Sequence, residues 1–259
     1  MLGCFSNAKA QFKLKEKTSF EKPRQQFRVD ELGFYTFFDK DMLEKYDTSG
    51  VRLFRQSVKT YGKIDCIDVS NPMKPLVFFR EQQVIAFLDN TLTPYQQTTK
   101  LSDLGISYGT LVCYSTQSDR FWVFDQDNSK LVLLLQDGRK HLESENLAGL
   151  LAIENPVQLI ERNSLLYLVD EFKGVFIFDM FGTFVEFVDL PSIQWIQVDE
   201  HNIYYLADSI LFSFNRRTRA VLQTKVDAVT DVQFQYSKKR FYFSVGKQIL
   251  VCEIIPEKK

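Results

Sequence analysis

The stretch GVFIFDMFGTFVEF, residues 174–187, reads as two short apolar strands around a turn, with one acid, Asp179, where the turn begins. Runs of β-branched and aromatic residues broken by Gly, Asn, Asp or Ser signal strands and hairpins. The turn residues supply positive φ or a side-chain acceptor for backbone N–H groups. The same phrase returns as VIAFLDNTLTPYQQ (84–97), RFWVFDQDNSKLVLLL (120–135) and SILFSFNRRTRAVLQT (209–224). A hydrophobic residue followed by an acid or Asn therefore marks the third strand of a repeating unit. It occurs at Tyr46-Asp47, Leu88-Asp89, Phe124-Asp125, Phe178-Asp179, Phe214-Asn215 and, more loosely, Cys252-Glu253.

The intervals between these marks are 42, 36, 54, 36 and 38 residues. The long interval contains GRKHLESENLAGLLAIENP, which reads as an insertion over residues 139–156. Each unit divides into four short runs, as in PVQLIERNS, LLYLVDEFK, GVFIFDMFG and TFVEFVDLP over residues 156–191. Four strands in about 40 residues make a propeller blade, whose two apolar faces are covered only when neighbours stack around an axis. The expectation is an all-β, six-bladed β-propeller of four-stranded blades, one domain over residues 11–259. The sixth unit supplies three strands, and FKLKEKTSF (12–20) precedes the first. That N-terminal strand is expected to complete the last blade and close the ring, covering an open sheet edge.

Composition agrees with a packed domain. Of 259 residues, 45% are hydrophobic and 14% aromatic, which excludes a disordered chain. Net charge is −1, from 32 basic and 33 acidic residues, and excludes a general nucleic-acid binder. No apolar run is long enough for a transmembrane helix. Cys4, Cys66, Cys113 and Cys252 are too far apart in sequence for a zinc motif, His141 reads as a solvated loop residue of the insertion and His201 as a turn residue. Cys66, Cys113 and Cys252 are expected in the core, with a disulfide among them the alternative in an oxidising compartment.

Ala8-Lys9-Ala10 before Gln11 has the small-x-small pattern of a signal-peptidase site, so residues 1–10 read as the remnant of a signal peptide. A signal ending in A-x-A-Q resembles those of exported Bacteroidota proteins, and LGC at residues 2–4 resembles part of a lipobox. The resemblance implies an exported protein, periplasmic or associated with the outer membrane. In period and strand pattern the chain resembles six-bladed propellers of the NHL and related repeat families. It lacks the Gly-His and Trp-Asp dipeptides of WD40 repeats and the Gly-Gly of Kelch blades.

Acids recur in the turns assigned between second and third strands: Asp39, Asp41, Glu81, Asp119, Asp170, Glu171 and Asp208. Turn chemistry alone explains them. The alternative is a divalent metal held by Asp119, Asp170 and Asp208, as the resemblance to propeller lactonases and phosphoesterases would imply. No Gly-x-Ser-x-Gly elbow or phosphate loop occurs, so no catalytic residue and no cofactor is assigned. Two features point to a partner. SENLAGLLAI carries Ser144 as a helix cap, with Leu147, Leu150, Leu151 and Ile153, and is expected to form a short helix over one rim, covering its own propeller or offering Leu147, Leu150 and Leu151 to a partner. NRRTR places Arg216, Arg217 and Arg219 in one turn on the opposite rim. The expected function is a non-enzymatic, protein-binding scaffold of the cell envelope, an accessory of an outer-membrane or secretion complex such as the type IX machinery. A metal-dependent hydrolase using the channel and a sugar- or peptide-binding module are the alternatives.

Overall fold

Hydrogen bonding divides the strands into six antiparallel sheets of four. The computed structural model describes residues 12–21, 25–95, 98–190, 192–226 and 233–255. Strand β1 (Lys13–Glu21) comes first. Blade 1 follows as β2 (Gln26–Val29), β3 (Tyr35–Asp39), β4 (Met42–Tyr46) and β5 (Arg52–Ser57). Blade 2 is β6 (Cys66–Asp68), β7 (Leu76–Phe79), β8 (Val84–Phe87) and β9 (Thr99–Lys100). Blade 3 is β10 (Gly109–Tyr114), β11 (Arg120–Asp125), β12 (Lys130–Leu135) and β13 (Lys140–Glu143). Blade 4 is β14 (Pro156–Arg162), β15 (Leu165–Asp170), β16 (Gly174–Asp179) and β17 (Phe184–Asp189). Blade 5 is β18 (Ile196–Val198), β19 (Asn202–Ala207), β20 (Ile210–Asn215) and β21 (Val221–Lys225). Blade 6 holds β22 (Gln233–Ser237), β23 (Arg240–Val245) and β24 (Gln248–Ile255), with β1 as its fourth strand.

The ring closes as the sequence predicts. Strand β1 runs antiparallel to β24, from Lys13 opposite Ile255 to Glu21 opposite Gln248. Phe12 is buried between blades 5 and 6, and Phe20 meets Tyr35 of blade 1 edge-on at 4.6 Å. Along every strand alternate side chains face opposite neighbours. The core is therefore a set of six seams, one between each pair of blades. Trp122 and Phe178 meet in the seam between blades 3 and 4, and Phe27 and Tyr242 in that between blades 1 and 6. Helix is confined to two 3-10 turns among the described residues, Lys59–Tyr61 and Leu101–Leu104.

Blade 3 corrects the phasing. Phe124-Asp125 ends its second strand, not its third, and the insertion read over 139–156 contains the fourth strand, β13. Leu135 occupies the turn position held elsewhere by the acid. The Gly138 N–H bonds back to the Leu135 carbonyl as Gly182 does to Asp179. The remaining connection, 144–155, forms turns and no helix. Ser144 caps nothing, because its hydroxyl accepts the Leu131 N–H (3.0 Å) and is held in the seam.

The outer edges are broken in a common way. One extra residue bulges at Lys17, Leu53, His141 and Val185, disrupting the outermost ladder of blades 6, 1, 3 and 4. Bulges twist an edge away from pairing with another chain.

Candidate partner surface and central channel

Inner strands β2, β6, β10, β14, β18 and β22 surround the channel. Their side chains tie blade to blade where no continuous backbone ladder exists. The Asp68 carboxylate in blade 2 accepts the Tyr114 N–H of blade 3 (2.8 Å). Gln158 in blade 4 accepts the Ile196 N–H (2.8 Å) and donates to its carbonyl (3.1 Å) in blade 5. Gln197 in blade 5 accepts the Tyr236 N–H of blade 6 (3.0 Å). The Ser237 hydroxyl of blade 6 donates to the Asp30 carbonyl of blade 1 (3.0 Å). Glu161, almost wholly buried, accepts the Thr116 N–H (3.0 Å), the Thr116 hydroxyl and the Trp122 indole N–H (2.5 Å) of blade 3.

The acids named from sequence serve the turns. Asp170 is fully buried, and four backbone N–H groups reach its carboxylate: Glu154 and Asn155 at 2.6 and 2.7 Å, Phe172 and Lys173 at 3.0 and 3.1 Å. Asp125 plays the same part in blade 3, accepting from Ser107 and Tyr108 of the incoming connection. Asp208 lies in the turn between β19 and β20, on the same face as Asp170. Asp119 does not: its turn joins β10 to β11 and lies on the opposite face, where it pairs with Lys74 at 3.6 Å. The structure thus does not bring Asp119, Asp170 and Asp208 together. Among the described residues no three His, Cys, Asp or Glu side chains form a metal-sized group. Cys66, Cys113 and Cys252 are free thiols in three different blades. Burial pushes Cys66 and Cys252 each up to about 11, so both are neutral thiols at physiological pH.

The expected partner residues divide. Leu147 is buried in the seam between blades 3 and 4, and Leu151 and Ile153 pack against the same cluster. They hold this chain together, in line with a segment that covers its own propeller, and this corrects the assignment of Leu147 and Leu151 as partner contacts. Leu150 alone stands out, 62% exposed. In the turn after β20, Arg216 donates through Nε and Nη2 to one Glu186 oxygen (2.8 and 2.7 Å) and through Nη1 to the Tyr167 hydroxyl (3.1 Å). Arg219 sits 3.7 Å from the other Glu186 oxygen and over the Phe214 ring. Arg216 therefore clamps blade 5 to the outer strand of blade 4. Arg217 is exposed, and Arg219 keeps much of its side chain in solvent.

Beside this clamp lies a surface that sequence reading missed. On β17 and the turn before it, Phe181, Phe184, Val185 and Phe187 are 62, 40, 50 and 37% exposed. Phe184 and Phe187 stand opposite Phe178 and Phe176, on the face toward blade 3, and Glu186 stands opposite Ile177, toward blade 5. The apolar side chains Phe184 and Phe187 thus lie on the blade 3 side of the outermost strand, and the arginine turn reaches the same strand from the blade 5 side through Glu186. The signal of this surface was in the sequence: outer strands β13 and β21 read KHLE and VLQTK, while β17 reads FVEFVD.

No protein-family model and no curated protein sequence matches the chain. Its fold is similar to several solved propellers. The WD40 domain of Neurospora crassa Pan2 aligns with a TM-score of 0.65 at 10% identity, over 96% of this chain and 97% of that one. BamB from Moraxella catarrhalis aligns at 0.59 and 10% identity, over 95% and 99%. Virginiamycin B lyase from Staphylococcus aureus aligns at 0.62 and 11% identity, over 95% and 100%. At such identities the likeness shows the propeller fold, which hosts both binding proteins and enzymes.

Proposed function

We propose that this chain is a non-enzymatic scaffold that docks a protein partner on the outer edge of blade 4. The contiguous strip of Phe181, Phe184, Val185 and Phe187 carries the reading. Isolated exposed apolar residues are ordinary, but an apolar strip with a polar border marks an interaction surface. Aromatic residues beside arginine are also the composition of interface hot spots. The bulge at Val185 disfavours simple strand addition, so the partner docks through side chains. Arg219, which reaches Glu186 on the other face of the same strand, and the exposed Arg217 beside it call for an acidic complement.

The finer reading is that the scaffold is exported and serves an outer-membrane or secretion complex, with the type IX machinery as the specific proposal. The Ala8-Lys9-Ala10-Gln11 pattern supports export; it lies outside the described residues. The hydrolase reading draws no support from the carboxylate turns, because Asp170 is saturated by backbone donors and Asp119 lies on the other face.

A photocrosslinking residue placed at Val185 in the native cell tests the surface, with Lys63 as an exposed control position. The expected result is a discrete protein adduct at Val185 only, lost when Arg217 and Arg219 are changed to Glu while the melting temperature holds. An adduct that survives the charge reversal, or equal labelling at Lys63, refutes the docking surface.

A further inference from the structure

The channel contains a buried cation with no ion pair among the described residues. Arg28 projects from β2 into the interior, with its guanidinium over the Trp195 ring at 4.4 Å. Its Nη1 donates to the neighbouring Phe27 carbonyl (2.9 Å), the Cys66 side chain is a second hydrogen-bond partner, and among the described residues no ion pair involves it. A guanidinium carries five N–H donors in a fixed fork. The charges around it do not complete that fork. Asp68 contributes to its field, but one oxygen accepts the Ser70 N–H and hydroxyl and the other the Tyr114 N–H. Cys66 is beside it as a neutral thiol. The Trp195 indole N–H is itself buried without an acceptor among the described residues.

The space around this cation fits a ligand. Arg28, Trp195 and Gln235 line two cavities at once, one of about 380 Å³ and one of about 680 Å³. The smaller chamber falls in the size range of small-molecule sites. It also holds Lys238 and Arg162, which donates to the Ser70 hydroxyl and the Glu161 carbonyl and has no ion pair among the described residues, alongside Glu31 and Asp30, one oxygen of which accepts the Leu32 and Phe34 N–H groups. Burying a cation without a partner is costly, and an oxoanion restores both charge and hydrogen bonds through two parallel N–H···O contacts. We infer that the channel is a binding site for a small oxoanion, a carboxylate or phosphate group received by Arg28 on its Trp195 platform. This site is independent of the blade 4 surface.

Protein exchanged into a chloride buffer, then titrated with sodium formate or inorganic phosphate against matched sodium chloride, provides the test. Calorimetry and Trp195 emission should both report saturable binding of at least one of the two anions, and which one responds identifies the group. Arg28→Gln should weaken that binding roughly tenfold or more, the loss of a charge-assisted pair. Arg28→Lys should retain part of it, since the charge survives without the fork. No saturable response to either anion in the native protein overturns the inference. So does an unchanged affinity in Arg28→Gln. If Arg28→Gln does not fold, Arg28→Lys still decides: native affinity with lysine refutes bidentate reception by Arg28.

Discussion

Glu161→Ala is expected to cost more than its small size suggests. The carboxylate is almost wholly buried between blades 3 and 4 and is the acceptor for the Trp122 indole N–H at 2.5 Å. Trp122 is fully buried, so alanine leaves that N–H without water or protein to accept it. An orphaned buried donor costs about 1–3 kcal/mol. The Thr116 N–H and hydroxyl lose an acceptor too, but Thr116 is exposed and water replaces most of that. The missing methylenes leave a small void, adding about 1–2 kcal/mol. Removing a buried carboxylate returns some desolvation. The net is about 2–4 kcal/mol, or a fall of roughly 5–15 °C in melting temperature for a chain of this size. Thermal and urea unfolding of Glu161→Ala, Trp122→Phe and the double variant form a cycle. Their coupling should reach about 1–3 kcal/mol, because phenylalanine removes the donor that alanine orphans. Glu161→Gln keeps an amide acceptor and should lose less than alanine. A coupling below about 0.5 kcal/mol, or glutamine as harmful as alanine, would refute the claim that this bond holds the seam.

Two further outcomes are expected. Deleting residues 1–21 removes β1 with Phe12 and Phe20, and should cost about 3–5 kcal/mol from the two aromatic side chains alone; unchanged cooperative unfolding of that truncation would rule out closure by the N-terminal strand. Cys66, Cys113 and Cys252, whose thiol pKa values burial raises, should resist iodoacetamide at pH 8 in the folded protein and react after denaturation; mass spectrometry showing rapid native alkylation of any of them would contradict their placement.

The blade count and ring closure were legible because both follow from local rules. Strand runs, turn residues and a period near forty need no knowledge of distant contacts. Blade 3 was misphased because a hydrophobic residue followed by aspartate has two uses. Asp179 accepts from Phe181 and Thr183 of its own hairpin, whereas Asp125 accepts from the chain entering the blade. Nothing in the dipeptide distinguishes them. The arginine turn was legible as a turn, but the partner of Arg216 is Glu186, in the preceding blade, and only the stacked ring brings the two together. The phenylalanines of β17 stood in the most conspicuous stretch of the chain. An apolar strand run carries no mark of whether it is inner or outermost, and their place on the outermost strand exposes them.

A near-neutral charge hides an asymmetry that bears on what this propeller binds. At the hairpin turns Asp47, Asp89 and Asp179 each accept backbone N–H groups two and four residues on. Asp68 and Glu161 tie neighbouring blades, and Asp170 anchors a connection. These acids are doing the work of architecture, and their oxygens face the protein's own N–H groups. The arginines are divided differently. Arg216 is paired with Glu186, but Arg28 and Arg162 line the channel without an ion pair among the described residues, and Arg217 faces solvent. A backbone rich in turns consumes acceptors, since every turn presents N–H groups and only acids and amides at the right spacing can take them. The same fold has no matching demand for cations. A propeller built with nearly equal numbers of both signs therefore leaves Arg28 and Arg162 without an ion pair among the described residues at its channel and Arg217 in solvent at the blade 5 turn, and both proposed sites rest on that imbalance.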